Sequence, residues 1–330
     1  MRIALSVLLF ATTLPAQDKN DTPEAHIARA KAAAGDDFQN LFNFQCNGPG
    51  PGGPRAAGAG TPGGRGGQGV GRGGGQRQAG PPDRSTWHAE PAKVSDNLYF
   101  FGQSEYAVWA ITTSEGIIVL DTIFDYSIED EVVGGMKKLG LDPATIKYAV
   151  VSHAHPDHDG GARFLQEHYG TRVIMSPADW DVLDKRINGT KPKRDLEATD
   201  GQKLTLGDTT VTLYITPGHT PGTISSLFPV NDKGMPHLAA LWGGVGLNQD
   251  PESVRTYIRS AQRFSDIVKQ AGADIILANH TDWDRSKINL PMLAQGAPSG
   301  PNLYIVGNAR ALNFLRVAEE CATARVLGAN

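Results

Sequence analysis

Three histidines and one aspartate fall within six positions of the segment Ser152-His153-Ala154-His155-Pro156-Asp157-His158-Asp159-Gly160-Gly161. Imidazole nitrogen and carboxylate oxygen suit zinc and other borderline divalent ions. His153 and His155, two apart, face the same side of an extended segment, and Asp157 and His158 can address a second ion as a helix begins. Asp159 reads as an N-cap, and Gly160 with Gly161 as small residues that let that helix pack closely on a sheet. Two isolated histidines stand in comparable places. His219 lies in Thr216-Pro217-Gly218-His219-Thr220-Pro221-Gly222, where Pro and Gly fix a turn around one imidazole. His280 lies in Ala278-Asn279-His280-Thr281. A lone histidine after a strand is ordinarily a capping or packed residue; beside the cluster, both become candidate ligands. His26, His88, His168 and His237 have no such setting. Ser152 has no base arrangement of its own and reads as local structure.

Such side chains need a frame that brings them to one point. The cluster follows an apolar run from Ile146 to Val151, a buried strand, and turns from it into a helix. Further strands are expected at Asn97 to Gly102, Ala107 to Thr113, Ile117 to Leu120, Arg172 to Met175, Val211 to Ile215, Ile224 to Phe228, Leu238 to Leu241 and Asp274 to Leu277. Helices are expected near Glu129 to Leu139, Ala162 to Glu167, Ala178 to Asp184, Pro251 to Ala271 and Ala309 to Ala324. His219 and His280 therefore both follow expected strands, as does Asp121. Hairpin-linked strands interleaved with helices predict a layered α/β domain.

The chain has 330 residues, 40% hydrophobic and 20% charged, enough for an ordinary core. Lys+Arg 31 against Asp+Glu 35 leaves a net charge of -4, which argues against nucleic acid or an anionic membrane and for a small-molecule partner. Residues 1–17 have the layout of a cleaved secretory leader, with cleavage expected after Ala16, so the protein is expected to be exported, periplasmic or secreted. Residues 18–46 form an N-terminal helical segment, read as one helix over residues 22–45 with Thr22 as N-cap and Pro23 at its first position. Many of the 39 glycines and 21 prolines collect in a Gly/Pro-rich stretch over residues 47–84, read as a flexible linker with nothing to bury. The remaining domain spans residues 85–330. Cys46 and Cys321 exclude a Cys-based metal cluster; they allow either one disulfide between the N-terminal segment and the C-terminal helix, or two free thiols.

The sequence resembles the metallo-β-lactamase superfamily, whose H-x-H-x-D-H motif is matched by His153, His155, Asp157 and His158, followed by a single-His turn and a final-strand His. The resemblance covers roughly residues 95 to 325 and implies a four-layer αββα sandwich with the site at the strand ends. It assigns His153, His155 and His219 to one metal and Asp157, His158 and His280 to a second, with two Zn2+ ions as cofactors. Asp121 becomes a candidate to orient a ligand. Members that cleave thioesters or phosphodiesters generally carry a bridging Asp in the stretch that here reads Leu238 to Val245, where none stands. The first two β-lactamase subclasses use a Cys, and none lies between Cys46 and Cys321. The pattern is therefore similar to the third subclass of metallo-β-lactamases.

The activity implied is hydrolysis of a β-lactam or related cyclic amide, with two zinc ions lowering the pKa of a shared water from about 15.7 toward neutrality. Asp157 is expected to help place the resulting hydroxide. Gly243 to Gly246 replaces serines that many third-subclass members use to hold a substrate carboxylate. This leaves open lactone or ester hydrolysis by the same metal pair, and a non-catalytic zinc-holding binding protein. Tyr106, Phe124, Tyr126 and Trp283, on loops near strand ends, are candidates for an apolar rim.

Overall fold

A strand that is apolar at every position has to be covered on both faces. This chain contains several, among them Ala107 to Ile111 and Ile275 to Ala278. The structure, a computed structural model, describes residues 21–48, 81–296 and 300–328. The expected leader and residues 49–80 of the Gly-rich stretch lie outside the described residues.

Two sheets provide the cover. The first has seven strands in chain order: β1 (Ala92–Lys93), β2 (Leu98–Gly102), β3 (Ala107–Thr113), β4 (Gly116–Leu120), β5 (Ile146–Val150), β6 (Arg172–Met175) and β7 (Leu196–Glu197). It is antiparallel from β1 to β4 and parallel from β4 to β7. The second is β8 (Gln202–Leu206), β9 (Thr209–Ile215), β10 (Ile224–Asp232), β11 (Met235–Trp242) and β12 (Ile275–Ala278); only β11 and β12 run parallel. Trp109, Ile111 and Leu120 meet Leu213, Phe228, Leu241 and Leu277 between the sheets. Each fully buried side chain of this kind contributes about 1.5–3 kcal/mol.

Helices close both outer faces. The helical set is α1 (Pro23–Ala34), α2 (Gln39–Cys46), α3 (Gly134–Lys138), α4 (Pro156–Asp159), α5 (Ala162–Tyr169), α6 (Pro177–Lys185), α7 (Pro251–Ala271), α8 (Ser286–Ala294) and α9 (Asn308–Gly328). Alternation sends Val108, Ala110 and Val119 outward onto Ile128, Val132 and Met136. Ala240, Trp242 and Ile276 pack instead on Tyr257 and Phe264 of α7, Phe314 and Leu315 of α9, and Phe38 and Leu41 of the N-terminal segment. The result is the four-layer αββα sandwich. Among the described residues no helix is long and apolar enough to cross a membrane.

Several local expectations change. The single helix over residues 22–45 is two, because Gly35 turns the chain at φ 49° after α1, although Thr22 does cap α1 through the Ala25 N–H. The helix expected from Glu129 begins as a wider π-type turn over Ile128–Val133 before tightening into α3. Asp159 is no N-cap: it ends α4, buried, and accepts two hydrogen bonds from Arg186 at 3.0 and 2.7 Å. Gly160 and Gly161 do not press on a sheet. They lie against the loop after β4, where a Cβ on Gly161 would stand 2.3 Å from the Thr122 carbonyl oxygen. Cys46 and Cys321 are bonded across a sequence separation of 275, so the free-thiol alternative falls away.

Candidate metal centre

Five chain segments reach the same rim of the sandwich. β4 runs out at Asp121, β5 into the His153–Asp159 segment, and the β9–β10 turn carries His219; β11 continues into Gly243 to Gly246, and β12 into Asn279 and His280. The two sheet edges are joined there. The Ile224 N–H donates to the Ser152 carbonyl at 2.8 Å and the Ala107 N–H to the Asn279 carbonyl at 3.0 Å.

The side chains gather into two groups, His153 with His155 and His219, and Asp157 with His158 and His280. Within each, one candidate ligand atom per residue lies within 4.8 Å of the others. The structure thus brings together all six residues singled out in the sequence. In each group one histidine is buried, His153 or His158, and its two companions are partly exposed, so both groups open toward solvent.

Hydrogen bonds fix which ring nitrogens face inward. His153 Nδ1 lies 2.9 Å from the Gly243 carbonyl and His219 Nδ1 2.6 Å from that of Gly246. A carbonyl only accepts, so both rings carry their proton on Nδ1 and turn Nε2 toward the group. His219 Nε2 then stands 3.1 Å from His153 Nε2 and 3.2 Å from His155 Nδ1. Burial, with neighbouring rings, pushes His153 well below its ordinary pKa and His219 down to about 3. Three weakly basic nitrogens aimed at one another suit a cation better than mutual hydrogen bonding.

The second group is held by a carboxylate. Asp121 Oδ2 accepts from His158 Nδ1 at 2.9 Å, while its Oδ1 accepts the Ser152 N–H at 2.6 Å. His158 Nε2 faces Asp157 Oδ2 at 3.1 Å without an aligned hydrogen bond, a buried polar atom left without a partner. Burial opposes charge on His158, yet Asp157 and Asp121 outweigh it and raise its pKa to about 10. Burial likewise opposes charge on Asp157, but His158 outweighs it and holds the carboxyl far below the usual range. His280 Nε2 is 3.7 Å from the same Asp157 oxygen, and burial with the nearby His158 pushes it down to about 3. Asp121 keeps this arrangement from a left-handed φ of 65°, which Asp tolerates better than most residues.

Sequence reasoning passed over several supports. Asn279 Nδ2 donates to Ser152 Oγ at 3.1 Å and to the Gly243 carbonyl at 2.8 Å; its place beside His280 was the available signal. Ser152 Oγ also donates to Asp121 Oδ2 at 3.0 Å, so it links the two groups and is more than local structure. Buried Asp179 accepts from the Ala154 and Gly222 N–H groups and from Thr220 Oγ1, clamping the His153 segment to the His219 turn. Gly244 and Gly246 lie against the His219 ring: a Cβ on Gly244 would be 2.7 Å from His219 Cβ. Of the aromatic residues proposed as a rim, Tyr106 and Trp283 flank His280 with ring centroids at 5.0 and 6.1 Å, while Phe124 meets Tyr106 edge-on and stacks with Tyr126.

A family model described as the metallo-beta-lactamase superfamily matches residues 102–232. An N-acyl homoserine lactonase, AttM, of Azorhizobium caulinodans is 28% identical over 51% of this chain and 72% of its own length. A hydroxyacylglutathione hydrolase of Acidiphilium cryptum is 32% identical, but over only 25% of this chain and 31% of its own. Among solved structures, BJP-1, a subclass B3 metallo-beta-lactamase of Bradyrhizobium japonicum, superposes with a TM-score of 0.58 at 26% identity, covering 70% of this chain and 91% of that one. Sandwich and site position agree with the family model, so residues 102–232 carry the likeness to the metallo-β-lactamase superfamily, whose similar proteins named above are hydrolases.

Proposed function

We propose that the protein is an exported dizinc hydrolase that opens β-lactams or related cyclic amides. The observation that carries this reading is the donor set: three imidazoles beside an Asp-His-His group, with no carboxylate in the stretch Leu238 to Gly246 to bridge them. His153, His155 and His219 would hold one ion and Asp157, His158 and His280 the other. Bound there, zinc supplies Lewis acidity and a water that ionises near neutral pH.

The chain's own groups do the rest. The Gly243 and Gly246 carbonyls keep the protons of His153 and His219 on Nδ1, so their inward Nε2 atoms keep a free lone pair, and Asp121 holds the His158 Nδ1 proton so that Nε2 is the one a metal would free. Asp157, with 20% side-chain exposure, accepts a hydrogen bond from the attacking water and orients it. Tyr106 and Trp283 wall the His280 side and would offer a substrate an apolar face there. The Cys46–Cys321 bond supports export, since disulfides persist in oxidising compartments.

A second reading, lactone hydrolysis by the same centre, is favoured by the lactonase among the sequence relatives and by glycines at Gly243 to Gly246. Parallel assays of the zinc-loaded protein on a chromogenic cephalosporin and an N-acyl homoserine lactone separate the two, with His153→Ala as the control. Cephalosporin turnover that disappears in the variant is the expected result. Turnover of the lactone alone would move the assignment to the second reading. Binding of zinc with neither activity would leave a non-catalytic metal-holding protein.

A further inference from the structure

The last three residues of α2, Phe44, Gln45 and Cys46, each touch something different. Cys46 is bonded to Cys321 on α9. Gln45, 6% exposed, donates from Nε2 to the Val245 carbonyl at 2.6 Å and to Tyr257 Oη at 2.9 Å; Tyr257 Oη in turn donates to the same carbonyl at 3.2 Å. Phe44 lies on Trp283, ring centroids 4.4 Å apart, and Trp283 faces His280.

Val245 is the middle of the strip whose two flanking carbonyls, Gly243 and Gly246, set the His153 and His219 rings. Glycines give that strip no side chains at Gly243, Gly244 and Gly246 with which to anchor itself, and the His219 ring leaves no room for any at Gly244. Gly243 is held at the strand end by Ser225 Oγ and Asn279, and beyond it the strip is gripped at Val245. One grip, Tyr257, comes from α7; the other reaches across 200 positions of sequence from α2, next to the only covalent tie among the described residues.

We infer that the C-terminal turn of α2 is a positioning element of the metal centre. Gln45 holds the Gly243–Gly246 strip where its carbonyls orient His153 and His219, and the Cys46–Cys321 bond keeps Gln45 in register with the strip. The inference rests on the metal reading above. It assigns the N-terminal segment a role in metal binding although that segment lies outside the residues matched by the family model.

Titration of the metal-free full-length protein with Co2+, followed by its visible absorption, tests this without any substrate. Gln45→Met keeps the side-chain length and removes the donor; Cys46→Ser/Cys321→Ser leaves Gln45 and removes the tie. The expected result for Gln45→Met is a loss of about tenfold in cobalt affinity, the lower end of the usual range for a residue supporting a metal ligand. Altered visible bands from the three-His group should accompany it, which loss of overall stability alone does not produce. The double serine variant should change in the same direction by less, and it carries the test by itself if Gln45→Met does not fold. Wild-type affinity and bands in both folded variants would overturn the inference. A wild-type protein that takes up no cobalt would overturn the metal reading beneath it, which is a distinct failure.

Discussion

The two halves of the centre are built by different means. The three-His group is oriented by backbone: two carbonyls on a glycine strip fix two rings, and burial keeps the nitrogens neutral. The Asp157 group is oriented by a side chain: Asp121 fixes His158, and two carboxylates keep that ring charged in the absence of metal. Backbone acceptors cannot be removed by substitution, so the first group is vulnerable to crowding. The second is vulnerable to loss of one carboxylate and to protons.

The largest effect that would break the comparison is expected from Gly244→Ala. Its added Cβ meets His219 Cβ at 2.7 Å, so the ring must move off its carbonyl. Zinc affinity of the three-His group should fall by about 100-fold, the upper end for a disturbed ligand support, while His158 is untouched; calorimetric titration checks this. Asp121→Ala should weaken the other group by about 10- to 100-fold and affect the first less, through Ser152 alone, readable as loss of one of two zinc equivalents after dialysis.

Acid sharpens the same contrast. With its pKa raised to about 10, His158 carries a proton at neutral pH without metal, and zinc must displace it. Uptake by the Asp157 group should weaken about tenfold per unit as pH falls from 8 to 6. His219, pushed down to about 3, is already neutral there, so the three-His group should hold its affinity across that window. Competition titrations at three pH values would show the two slopes. The smallest effect concerns the rim: Trp283→Ala should raise KM about three- to tenfold with little change in kcat, the size of one aromatic contact worth ~1 kcal/mol.

The six candidate ligands were legible because four of them sit within one strand-end segment and the other two follow clear strands. The layered α/β architecture was legible from hairpin-linked strands interleaved with helices, such as the strand read over Asp274 to Leu277 after the helix Pro251 to Ala271. What escaped was short or depended on tertiary contact. β8 alternates Leu204 and Leu206 with polar residues, a correct but brief signal. α8 carries Pro291 inside it, which argues against a helix from sequence alone. The glycine strip read as an absence of serines, whereas its role is to make room for His219, a contact between residues more than twenty positions apart. Gln45 gave no signal, because its acceptor is a backbone carbonyl 200 positions away.

The central claim is that two distinct groups each hold an ion. A crystal structure of the zinc-loaded protein, with anomalous scattering recorded on either side of the zinc edge, tests it most directly. Two anomalous peaks are expected, one among His153, His155 and His219 and one among Asp157, His158 and His280. A fully loaded crystal with a single peak, or with peaks away from these residues, would contradict it.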